Sequence, residues 1–260
     1  MVREDKEVWE PIISRLFEQD TSSGDPSLIA EIWALDDPCH GDSYEFNVDS
    51  LRMSGQVSIE VYGHAFHRLF RDGHVNPQHN DVVLIGSCAG SVASILTATL
   101  CPSLFSSLII IEPLVVTEQM LKAATKWSTI GAKRRDTWPS REDALLWMKY
   151  RLPWNRWHPD VLDLLVTYGM KESTTGVQLK CPTSVYHTGQ QNFQDPYNAF
   201  VALAGLCSVL PVHAIFGARP DYVSPELQAM LCDVQAGRKM ASVSRIPDAG
   251  HMVWSDLRLS

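Results

Sequence analysis

The stretch DVVLIGSCAGSVASILTATL, residues 81–100, joins a short apolar run to a helix of small residues through Gly86, Ser87, Cys88, Ala89 and Gly90. A strand that turns sharply through G-x-nucleophile-x-G into a helix lifts the central side chain above the sheet, at the positive end of the helix dipole. Here that side chain is a thiol. A helix N-terminus favours the thiolate, the nucleophilic form, so Cys88 is expected to act as a covalent nucleophile. Ser87 is one position off and is expected to point elsewhere. The backbone N–H of Ala89 is the expected oxyanion donor.

A thiol nucleophile works with a histidine that carries the proton and an acid that holds the histidine tautomer. After a turn of this kind the partners follow in the order acid then histidine, each at the end of a later strand. Asp221 lies in GARPDYVSP after the apolar run 212–216, and His251 lies in PDAGHMVW after the run 241–246. The expected triad is Cys88, Asp221 and His251. Glu112, just past the run 108–111, is the reserve acid, and Asp248 is a weaker one because it is close to His251 in sequence. His64, His67, His74 and His79 lack a carboxylate at ligand spacing, so no metal and no cofactor is expected. The six cysteines, Cys39, Cys88, Cys101, Cys181, Cys207 and Cys232, form no paired C-x-x-C motif and read as free thiols of a reducing compartment.

The elements that must position these groups are short, β-branched apolar runs alternating with helical patterns. Strands are expected at residues 28–35, 82–85, 108–111, 212–216 and 241–246, and helices at 7–18, 58–71 and 90–100. Nearly continuous apolar strands separated by helices imply a mostly parallel sheet covered on both faces, an α/β fold. Residues 115–180 break the alternation. They hold four of the eight tryptophans, Trp138, Trp147, Trp154 and Trp157. No strand is expected there, but a helix capped by Ser140 and another over 159–168 ended by Gly169 are. The division that follows is a first core part, 1–114, a helical cap, 115–180, and a second core part, 181–260. The four tryptophans are expected to line a pocket for a sizeable apolar or conjugated small-molecule substrate.

Composition excludes several other roles. With 260 residues, 45% hydrophobic and 20% charged, the chain can bury a substantial core. A net charge of −8 argues against a nucleic-acid face, which needs clustered Lys and Arg; the one basic run is Lys133, Arg134 and Arg135. No apolar stretch is long enough to span a membrane. MVREDKEVWEP lacks the apolar core of a signal peptide, and the chain does not end in an SKL-type tripeptide, so a cytoplasmic location is expected. Homo-oligomerisation is left open.

The elbow, the acid loop and the GHMVW loop resemble the α/β-hydrolase superfamily. AKRRDTWPSREDALLWMKYRLPWNRWHPDVLDLLVTYG, DKEVWEPIISRL and ALDDPCHGDS resemble fungal members of it, a group that includes toxin-biosynthesis proteins and a peroxisomal lipase-like branch. The resemblance implies a hydrolase of esters, lactones or thioesters in secondary metabolism of the polyketide or toxin type. Relatives that cyclise or rearrange their substrates leave a non-hydrolytic cyclase or isomerase using Cys88 and His251 as an alternative, and a non-catalytic ligand-binding relative as a third. Dienelactone hydrolases carry a cysteine at the elbow, which is compatible with covalent catalysis here. The family normally opens with three strands, the third leading into an HG loop that gives the second oxyanion N–H. Here a helix appears at Glu7, and His40-Gly41 matches a later loop, D-x-x-x-H-G-x-S. The N-terminal strands are therefore expected to be missing, which leaves Ala89 as the one family-type oxyanion donor. Nine residues after His251 are too few for the usual closing helix.

Overall fold

A computed structural model describes residues 5–22, 26–54, 58–76, 81–123, 135–181 and 192–255. In chain order the elements are α1 (Glu10–Ser22), α2 (Gly41–Ser54), α3 (Ile59–Arg71), β1 (Val83–Ser87), α4 (Ala89–Leu100), β2 (Ser107–Ile111), α5 (Glu118–Ala123) and β3 (Thr137–Trp138). There follow α6 (Arg141–Lys149), α7 (Pro159–Tyr168), β4 (Met170–Ser173), β5 (Gly176–Leu179), α8 (Gln194–Val209), β6 (Val212–Gly217), α9 (Pro225–Leu231) and β7 (Ser242–Ile246). They form two compact units. The first comprises Met1–Gln56, Gly131–Thr188 and Trp254–Ser260; the second comprises Val57–Ile130 and Gly189–Val253. Of the segment expected as a cap, residues 131–180 thus cluster with residues 1–56 and residues 115–130 with the second unit.

The second unit is the α/β part. Its sheet runs β1-β2-β6-β7, parallel throughout. Parallel strands need a crossover between them, and β1 reaches β2 through α4 while β6 reaches β7 through α9. The sequence of α4, AGSVASILTATL, buries Ser91, Val92, Ala93, Ser94, Ile95, Thr97 and Ala98, because small side chains let the helix approach its neighbours closely. A Cβ on Gly63 of α3 would lie 2.9 Å from the Thr97 hydroxyl, which donates to the Gly63 carbonyl. Leu84, Leu108, Ile110, Leu203, Ala214 and Phe216 continue this core.

Ser91 ties the turn to the sheet. Its buried hydroxyl donates to the Gly86 carbonyl at 2.7 Å and accepts from the Ile111 N–H at 3.2 Å. Ser91→Ala leaves both backbone groups without that partner, and we expect a loss of about 1–3 kcal/mol of unfolding free energy by urea denaturation.

The first unit holds a three-stranded antiparallel sheet, β3-β5-β4. This corrects the expectation of a strandless cap. The hairpin β4–β5 turns at Thr174-Thr175, with Ser173 paired to Gly176, and alternates buried and partly exposed residues along β5. Gly176 has φ +130°, and a Cβ there would lie 2.2 Å from the Trp138 carbonyl, so glycine admits β3 alongside. Lys171 and Lys180 bind Glu45 and Asp42 of α2. Ser140 caps α6 by accepting from the Asp143 N–H, and α7 ends at Gly169, as expected from the sequence.

Residues 28–35 are not a strand. The backbone N–H groups of Leu28 and Ile29 are captured by the Asp20 carboxylate of α1 at 3.0 Å, and Leu28 is 88% exposed. An apolar run becomes a strand only if a neighbour accepts its ladder hydrogen bonds, and among the described residues none does. β1 is an outer strand of its sheet.

Candidate active site

β1 ends at Ser87, and the chain reverses into α4 through Cys88 with φ 55° and ψ −119°. A non-glycine residue in that region is strained, and such strain concentrates at functional positions. Two groups hold it there: the Cys88 N–H donates to the Ile111 carbonyl at 3.0 Å, and the Cys88 carbonyl accepts from Ser91 and Leu114 at 3.2 Å. Gly86 is sterically required, since a Cβ would lie 2.3 Å from the Gly90 carbonyl and 2.5 Å from the Ser94 hydroxyl. A Cβ on Gly90 would meet nothing within 4 Å. Only the first glycine of G-x-C-x-G is therefore demanded by packing. The Ser87 hydroxyl is buried with no hydrogen-bond partner.

β2 pairs with β1 in the register Gly86 to Ile110 and Ser87 to Ile111, so the residue after β2 is level with Cys88. That residue is Glu112, 1% exposed and at φ +44°. Its Oε1 accepts from the Gly217 N–H at 2.8 Å, where β6 ends, and its Oε2 meets His251 Nδ1 at 3.1 Å. The His251 ring is 3% exposed and stacks on Tyr222 with centroids 4.5 Å apart. Its Nε2 has no aligned hydrogen bond among the described residues, and the ring interacts electrostatically with the Cys88 thiol.

Asp221, the acid expected from the sequence, is elsewhere. It is exposed, and its Oδ1 accepts the backbone N–H of His251 at 2.7 Å. Asp221 thus fixes the loop that carries His251 while the reserve acid, Glu112, holds the ring. Close packing enforces this: a Cβ on Gly250 would lie 2.2 Å from the Asp221 carboxylate. Asp248 is an exposed turn residue with φ 60°. The signal for Glu112 in the sequence was its place directly after an apolar strand one crossover from Cys88, which makes it level with the thiol in a parallel pair.

The electrostatics follow from this chain of contacts. Burial opposes ionisation of Cys88, yet the nearby His251 ring, chiefly through its charge, and the Ala89 N–H outweigh burial and hold the thiol below its ordinary range. Burial likewise opposes charging of His251, but the Cys88 thiolate and then Glu112 raise its pKa to about 10. The two shifts have the signs of a thiolate beside an imidazolium, and Glu112 meets the ring at Nδ1. Such a set can attack a carbonyl carbon, protonate a leaving group and then deprotonate water.

The sequence profile of the Alpha/beta hydrolase family matches residues 5–257. The chain belongs to the alpha/beta hydrolase family. As a member it is a hydrolase-family enzyme with the mostly parallel sheet and flanking helices of that fold. No curated protein matches the sequence. Among solved structures, this alpha/beta hydrolase is similar to the peroxisomal alpha-beta-hydrolase Lpx1 of Saccharomyces cerevisiae, at 20% identity and TM-score 0.68, over 96% of this chain and 69% of that one. It is also similar to the Mycobacterium tuberculosis esterase Rv0045c, at 19% identity and TM-score 0.66, over 97% and 77%. The thioesterase domain from the curacin biosynthetic pathway shares 13% identity at TM-score 0.63, over 98% and 85%.

Of the four tryptophans of this hydrolase that were expected to line a pocket, three pack on one another in the first unit and the fourth on Trp254. Trp147 stands between Trp138 and Trp154 at 5.5 and 5.4 Å, and Trp157 meets Trp254, which also stacks on Trp9. Trp138 and Trp157 are buried. The histidines of α3 do not converge: His67 meets Cys101 at 3.4 Å and His64 faces Glu60, while His79 lies outside the described residues. No helix among the described residues is long and apolar enough to cross a membrane.

Proposed function

We propose that this enzyme hydrolyses an ester, lactone or thioester through a Cys88–His251–Glu112 triad, with Asp221 positioning the histidine loop. The observation that carries the reading is the buried contact of Glu112 Oε2 with His251 Nδ1 at 3.1 Å, behind a ring charged by the thiol. Cys88 attacks the carbonyl carbon, the oxyanion gathers at the Ala89 N–H, and the carbon–oxygen or carbon–sulfur bond breaks as His251 protonates the leaving group. Water, deprotonated by His251, then cleaves the thioester and returns the thiolate. A small apolar or conjugated acyl substrate of secondary metabolism suits the resemblance to toxin-biosynthesis proteins, and the fold likeness to a thioesterase domain is compatible with it.

One observation favours a second reading. Cys88 and His251 are 6% and 3% exposed, and Tyr222 covers the ring. Exclusion of water suits a cyclisation or isomerisation in which the same two groups act as acid and base. One experiment separates the two: short-chain esters, lactones and thioesters are mixed with enzyme, quenched in acid and weighed intact. The hydrolase reading expects an acyl mass increment on the peptide bearing Cys88, followed by release of free acid. An increment on any other residue, or free acid from Cys88→Ala at the native rate, refutes it.

A further inference from the structure

The loop that leads into α2, DDPCHG, gathers three different donor atoms inside the unit that does not contain Cys88. Asp37 Oδ1 lies 2.6 Å from Cys39 Sγ and 3.4 Å from His40 Nδ1, and Cys39 Sγ lies 3.7 Å from His40 Nδ1. All three atoms lie within 4.8 Å of one another. Two further buried groups, remote in sequence, act on the cluster electrostatically: Asp5 with His40, and Cys181 with Cys39. Gly41, with φ +51°, would place a Cβ 2.5 Å from Asp36 Oδ2, so this end of the loop is held tightly.

We propose that Asp37, Cys39 and His40 form a binding site for a divalent transition metal of the zinc class. One thiolate, one imidazole and one carboxylate are the donor set that such an ion selects over calcium or magnesium. The geometry is nearly made. Around a tetrahedral zinc, with bonds of about 2.0–2.3 Å, the N–O edge is about 3.4 Å and each edge to sulfur about 3.5 Å. The observed N–O and S–N separations of 3.4 and 3.7 Å already agree. The S–O separation of 2.6 Å is that of a thiol donating to the carboxylate, and it opens when the ion takes the place of the proton. Binding therefore releases the Cys39 proton to solvent and leaves His40 neutral. Asp37 and His40 are partly exposed, which gives the ion a way in and leaves the fourth place to water. Its role is to pin the loop before α2.

The test is titration of the full chain with Cd²⁺, read by thiolate-to-metal charge transfer in the ultraviolet. We expect a band that saturates at one equivalent and persists in Cys88→Ser, is lost in Cys39→Ser, and needs about tenfold more metal in His40→Ala. In the unmutated protein one equivalent of Zn²⁺ should shield the Cys39 peptide from iodoacetamide, a readout that needs no variant to fold. A band that survives Cys39→Ser, a band that vanishes only in Cys88→Ser, or a Cys39 peptide that zinc leaves unshielded overturns the proposal.

Discussion

Glu112→Gln should lower kcat by roughly 10⁴-fold, while Asp221→Asn should leave it within about tenfold of the native value. The contrast follows from which atoms each acid meets. The Glu112 carboxylate holds Nδ1 of His251 at 3.1 Å and stabilises the charged ring from a position that is 1% exposed. A glutamine there retains an oxygen for the Gly217 N–H but turns an amide N–H towards Nδ1. That forces the other tautomer and puts a proton on Nε2, the atom that must accept one. Asp221 accepts the backbone N–H of His251 from an exposed position, and an asparagine oxygen accepts the same hydrogen bond. The measurement is steady-state kinetics of both variants on one ester, with far-UV circular dichroism to confirm folding. If Asp221→Asn collapses kcat and Glu112→Gln does not, the acid has been assigned to the wrong loop.

Cys88→Ala should abolish turnover, a loss of about 10⁶-fold in kcat of the size that follows removal of a nucleophile from an enzyme of this type. The residual rate would come from binding and from the Ala89 N–H alone. Cys88→Ser is the finer probe. If the native reaction is hydrolysis, the serine variant retains some ester cleavage, because His251 and Glu112 still form a base for a hydroxyl. If the reaction is a cyclisation or isomerisation driven by the thiol's acidity, the serine variant loses the product and gains no hydrolysis, since a hydroxyl holds its proton near neutral pH. Single-turnover assays that follow both free acid and cyclised product separate these outcomes.

The α/β class and the turn at Cys88 were legible because strand periodicity and a glycine-flanked turn are local signals. The helices and four of the five expected strands fall where residue periodicity places them, since each has a partner to complete its hydrogen bonds. Residues 28–35 carry the same local pattern but lack such a partner, and their N–H groups go to Asp20 instead. The hairpin β4–β5 was missed for the opposite reason: MKESTTGVQL has few β-branched residues, and its stability comes from pairing and from the lysine contacts with α2. At the site, nucleophile and histidine were legible from the order of strand ends, whereas the acid was not. Asp221 and Glu112 both follow strands, and only the β1–β2 register, which makes Glu112 level with Cys88, tells them apart. The tryptophans read as pocket lining because aromatic clusters serve packing and lining alike; their ring contacts, which join residues as far apart as Trp9 and Trp254, are not legible from local sequence.

The central claim is that Cys88 is a thiolate at neutral pH because His251, held by Glu112, is charged beside it. The direct measurement is the rate of iodoacetamide alkylation at the Cys88 peptide from pH 5 to pH 11, in the unmutated protein and in His251→Gln. A thiol held below its ordinary range of about 8.5 ionises early, so the rate should reach its plateau at lower pH than that of a free cysteine and fall only as acid protonates the sulfur. The His251 pKa of about 10 keeps the ring charged across that plateau, and turnover should fail on the alkaline side as pH rises through it. In His251→Gln burial acts unopposed by the ring, so the rate should still be climbing at pH 9 and should be at least about tenfold lower at pH 7. A native profile that climbs through pH 9 like that of a free cysteine, unchanged by His251→Gln, contradicts the account.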